Sequence, residues 1–142
     1  MRMFTYILAG TALAVFMSAG AHAETDNGIS AEEANQIDNH KIYYGDPSSF
    51  ENAGEVDLMV VVRNTPQYQR IDSRGVDRGT AQYWSLITVA TEKAQNAVIG
   101  VAGQGEYDLI VEAGHLAKVD EEIPVEDITG KVVSYLKEQE EQ

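Results

Sequence analysis

The segment from Ala81 to about Gly103 constrains this chain more than any other. Trp84, Ile87, Ala90, Ala94, Ala97, Val98 and Val101 recur along it at helical spacing, while Gln82, Glu92, Lys93 and Gln95 fall largely off that face. Thr80 stands at the N-cap position, and Gly103-Gln104-Gly105 stops the run. At 3.6 residues per turn this is a helix of about six turns. Its alanines allow a second helix to approach closely. Upstream, Thr65-Pro66 reads as a capped start with proline in the first turn, leading into a short helix to about Ile71. Arg74-Gly75-Val76-Asp77-Arg78-Gly79 is a turn, because two glycines four apart sit poorly inside a helix. The pattern predicts a helical hairpin.

Strand signals flank the hairpin. Lys41-Ile42-Tyr43-Tyr44 is a short β-prone run stopped by Gly45-Asp46-Pro47. Tyr107 to Val111 is the clearest strand, closed by Ala113-Gly114, and Leu116 to Val119 reads as a second. Ser48-Ser49-Phe50-Glu51 fits a capping box, and Phe50, Ala53, Val56, Val60 and Asn64 keep helical spacing behind it. These predict a helix from about Ser49 to Asn64, with a buried strand through Val56–Val62 as the rival reading. Asp127 caps a final helix, Ile128 to about Glu138, with Val132, Val133 and Leu136 inward. The expected fold is α+β: a small antiparallel or mixed sheet, an inserted short helical hairpin and a C-terminal helix. The expected divisions are a signal peptide at 1–23, a flexible acidic leader at 24–40, one domain at 41–138 and an acidic tail at 139–142.

The first twenty-three residues carry the compartment signal. Met1-Arg2-Met3 is a short positive start, Phe4 to Met17 is uncharged and largely apolar, and Ala21-His22-Ala23 forms an A-x-A cleavage site. This order predicts export, here to a periplasm, and a mature protein starting at Glu24 with no stable membrane insertion after cleavage. The chain has no cysteine, which excludes disulfides, thiol catalysis and thiolate metal sites. Its formal net charge is −13, so nucleic acid and anionic membrane surfaces are poor partners for the surface as a whole. Such acidity serves solubility, or steers cationic partners toward the protein.

Chemistry is sparse. His40 and His115 are the histidines left after cleavage, and pairing of the flanking strands would bring them to one sheet edge, with Asp46 or Glu112 as a third ligand. No H-E-x-x-H or i,i+4 histidine pair supports a metal site, so two loop histidines are the plainer reading. No G-x-S-x-G elbow is present, and Ser48, Ser49, Ser73 and Ser85 are accounted for as caps, turn or helix surface. Gly100 to Gly105 ends a helix instead of opening one, which does not suit a phosphate cradle. Arg74 and Arg78 flank a turn that would hold an anion or simply be solvated. No enzyme and no cofactor are expected. Tyr68, Tyr83 and Trp84 cluster on the hairpin: as core or subunit-interface residues they need no special role, and as an exposed patch they would mark a partner or client surface.

Glu106-Tyr107-Asp108-Leu109-Ile110-Val111-Glu112-Ala113-Gly114, followed by Asp127-Ile128-Thr129 and Val132-Val133, resembles the end of the Skp/OmpH family of periplasmic chaperones. The similarity covers roughly the last third of the chain, and the Thr65-Pro66 break would match the passage into that family's arm. The resemblance implies a reduced form lacking long coiled-coil arms. It further implies self-association, as a trimer, and unfolded outer-membrane proteins as clients. The reading that competes with it is an envelope protein binding one specific folded partner through the aromatic hairpin.

Overall fold

The structure, a computed structural model, describes residues 31–141. Residues 1–23, read above as a signal peptide, and 24–30 of the expected leader lie outside the described residues. Two small turns come first, α1 (Ala31–Ala34) and a 3-10 turn at Asn39–Lys41, followed by β1 (Ile42–Gly45) and β2 (Ala53–Val56). Three helices follow: α2 (Leu58–Arg63), α3 (Pro66–Arg74) and α4 (Ala81–Ala102). The chain closes with β3 (Leu109–Glu112), a 3-10 turn at Leu116–Lys118, β4 (Val125–Asp127) and α5 (Thr129–Glu140). This is the expected α+β fold, and its sheet is mixed.

The strand order is β1-β3-β2-β4. β1 pairs antiparallel with β3, whereas β2 runs parallel to both β3 and β4. β3 is central, and its Leu109, Ile110 and Val111 are all fully buried, as a strand covered on both faces requires. Alternation along the strands divides the core in two. Ile110 and Val56 face α2, α4 and α5, joining Val61, Val98, Ile128, Val132 and Leu136. Leu109, Val111 and Ala53 face the other way, with Ile37, Phe50 and Leu116. Ala34 and Ile37, ahead of the first strand, therefore already pack on this core. Among the described residues, the buried members of both clusters lie between Ile37 and Leu136, within a chain starting at Glu24.

The caps at the hairpin form as expected. The Thr65 hydroxyl accepts from the Tyr68 amide and Pro66 opens α3, while the Thr80 hydroxyl accepts from the Tyr83 amide. Two expectations fail. Residues 49–64 are not one helix: Ala53–Val56 is a strand, and α2 starts only after Asp57, whose carboxylate accepts from the Val60 amide. The Ser48 amide and hydroxyl are both taken by the Asp46 carboxylate, at 2.9 and 2.7 Å, so no capping box forms. The Asp108 carboxylate instead holds the Glu51 and Asn52 amides, each at 2.9 Å, and sets this segment beside β3. Leu116–Lys118 is a 3-10 turn with Leu116 buried, and the second late strand is β4.

Gly45 and Gly54 are required by close approaches. Gly45 has φ +89°, and a Cβ there would sit 1.9 Å from the Asp108 carbonyl oxygen. At Gly54 a Cβ would meet Ile128 Cδ1 at 2.9 Å, so the glycine lets α5 begin directly over β2.

Candidate functional site

The hairpin of α3 and α4 is the arm of the molecule. α4 is anchored only by its second half: Ala90, Ala94, Ala97, Val98, Val101 and Ala102 are buried, and no residue from Ala81 to Val89 is. At 1.5 Å per residue this outer stretch is about 13 Å long. α3 lies along it and buries only Ile71.

The sequence put Trp84 on the apolar face of α4 and left open whether it is core, subunit interface or exposed patch. Trp84 is 60% exposed, and Val89 and Ile99 on the same helix are exposed as well. The helical period continues past the point where packing partners stop, so the residues that would extend the core emerge into water. Tyr83 is half-buried and meets Trp84 edge to face, with ring centroids 5.3 Å apart and an 86° interplanar angle. Tyr68 is half-buried and packs against the core. Tyr68 and Tyr83 also wall a cleft of about 320 Å³ between α3 and α4, closed by Asp77 and Arg78 at the tip. The structure thus brings the three aromatic candidates together on one arm, Tyr68 and Tyr83 half inward and Trp84 outward.

The arm also differs in charge from the rest. Between Pro66 and Val89 stand Arg70, Arg74 and Arg78 against only Asp72 and Asp77. All three arginines are exposed, and none forms an ion pair among the described residues. Averaging over the chain concealed this basic, aromatic projection on a strongly acidic body.

The two histidines do not form a metal site. The His115 Nε2 accepts the Asp38 backbone N–H at 3.2 Å, so this ring is used to fasten the turn before β1. His40 lies in that turn, its own amide donating to Asp38 Oδ1 at 2.9 Å. Of the proposed third ligands, Asp46 binds Ser48 and Glu112 pairs with Lys41. Among the described residues no group of three histidine, aspartate or glutamate side chains is placed to hold a metal ion.

A polar cluster that sequence reasoning missed lies on the body. Tyr107 is 94% buried, and its hydroxyl donates to Glu126 at 2.8 Å and accepts from Lys131. Lys131 Nζ lies 3.1 Å from Glu106, 3.2 Å from Glu126 and 5.0 Å from the Tyr107 ring centroid. Burial raises the Tyr107 hydroxyl above its ordinary value, while its hydrogen bond and the lysine hold Glu126 below the usual carboxylate range. Lys131 donates to Tyr107, Glu106 and Glu126, and these bonds hold its ammonium above its ordinary value. These residues come from two segments about twenty residues apart, 106–107 and 126–131, so no local motif announces them.

No model of a known protein family matches this chain, and no curated protein or solved structure is similar to it at a significant level. Among the described residues no helix is long and apolar enough to cross a membrane.

Proposed function

We propose that this is an exported, non-enzymatic binding protein of the periplasm, acting as a small chaperone or outer-membrane assembly accessory whose arm holds the client. The exposed Trp84, on the half of α4 that buries nothing, is the observation that carries the reading. An uncovered tryptophan edge to face with Tyr83, on an arm that also carries the exposed Val89 and Arg70, Arg74 and Arg78, combines residue types enriched where proteins meet partners. The arm is short, so it would engage a segment of an unfolded chain, not enclose a whole one. The self-association implied by the Skp/OmpH resemblance, as a trimer, belongs to the same proposal.

The test is dilution of an unfolded outer-membrane β-barrel protein from urea, with and without the chain from Glu24 to Gln142, followed by light scattering. Suppressed aggregation near stoichiometric amounts is expected. Unchanged scattering with a folded sample would remove the chaperone reading. It would leave the second one, a single folded envelope partner on the same aromatic arm, favoured by the edge-to-face Tyr83–Trp84 pair.

A further inference from the structure

On the body, away from the arm, an open strand edge adjoins a wide cleft. β4 is the outer strand of the sheet, with β2 on one side and no strand on the other. The cleft, about 700 Å³, lies where β2 and β4 begin and α5 passes over them. Its floor is Ala53, Pro124 and Val125, and its rim carries Glu51, Glu106 and Glu126 against the single Lys131.

We propose that this edge takes an extended basic peptide segment as a fifth strand, with a lysine or arginine side chain seated in the acidic cleft. An outer strand offers backbone N–H and C=O groups to an added strand, and a pocket beside it selects a side chain at the period of two. The charge decides which strand is admitted. Glu126 and Asp127 on β4 blunt the edge toward other acidic chains, including a second copy of this one at net −13. Toward a basic segment the same carboxylates are attractive, and the net charge steers it in. The opposite edge is less suited, because β1 is irregular between Ile42 and Tyr44, and such a bulge twists an edge away from further pairing. β4 keeps a regular parallel register with β2 from Ala53↔Val125 to Glu55↔Asp127. Tyr107 and Lys131 hold Glu126 from within, so the cleft wall is fixed before a peptide arrives.

The experiment titrates Glu24–Gln142 with a fluorescent peptide of alternating lysine and valine and follows anisotropy. Two control peptides have the same charge: one is N-methylated along one backbone edge, the other has its residue order scrambled to break the alternation. Saturable binding of the alternating peptide is expected, weakened about tenfold by N-methylation, which removes strand hydrogen bonds without touching charge. Glu51→Gln with Glu106→Gln, both on exposed side chains, should weaken it about three- to twentyfold while the circular dichroism stays unchanged. Equal binding of all three peptides would reduce the effect to general charge attraction and overturn the proposal, as would no binding at all. The arm takes no part in this test, so its outcome is separate from that of the chaperone reading.

Discussion

The two halves of α4 share one sequence period and have opposite surroundings. From Ala90 to Ala102 the small side chains sit against α2, α5 and the sheet, and six are buried. From Ala81 to Val89 no residue of the same helix is buried, and Trp84 and Val89 stand in water. A helical period marks which residues share a face, but the elements around the helix decide how far along that face is covered. The difference leaves stability to the inner half, and the proposal above gives recognition to the outer one.

That division can be broken from either side. The largest effect is expected at the centre of the sheet. Leu109→Ala removes a fully buried side chain and should lower the unfolding free energy by about 2–5 kcal/mol in urea titrations. At the joint between body and arm, Thr65 is fully buried, its hydroxyl donating to the Val62 carbonyl at 2.7 Å and accepting from the Tyr68 amide at 3.2 Å. Thr65→Ala should therefore cost about 1–2 kcal/mol, and equilibrium unfolding measures it.

Alkali tests the body alone. Burial first, then the Glu112 and Asp57 charges, push the Tyr43 hydroxyl up to about 12, and burial raises Tyr107 as well. In the unfolded chain these groups ionise near 10, so the raised folded values leave stability intact below pH 10 and erode it as pH climbs toward 12. Tyr43→Phe should flatten the fall of melting temperature over that window; an unaltered profile would show that Tyr43 is not held as described. The smallest effect is expected on the arm. Trp84→Ala should change stability by no more than about 0.5 kcal/mol, whereas a change comparable to that of Leu109→Ala would mean the outer half is core after all.

Local signals were legible where the chain punctuates itself. Thr65-Pro66, Thr80 and Gly103 mark the arm correctly because capping chemistry is decided within a turn of the residue concerned. β2 and β4 were hidden because they depend on distant pairing. Gly54 lies opposite Ile110, and Val125 opposite Ala53, across dozens of residues. The Ser48–Glu51 spacing imitated a helix start, but Asp46 claimed the serine and Asp108 the following amides. Isolated Gly54 was the available clue, since a glycine in an apolar run often marks close approach of another element. For the aromatic arm the residues could be named from the sequence. Their exposure could not, because it depends on α5 ending at Glu140 beside Lys93. The Tyr107–Glu126–Lys131 cluster had no local signature at all.

Trp84 is the only tryptophan of the chain, so its fluorescence reports on the arm directly. The decisive measurement is acrylamide quenching of Glu24–Gln142, free and then with a tryptophan-free unfolded outer-membrane β-barrel chain. Efficient quenching in the free protein, falling on addition of the client together with a blue shift, is the predicted result. A tryptophan already shielded in the free protein, or equally quenchable with the client bound, would contradict the assignment of recognition to the outer half of α4.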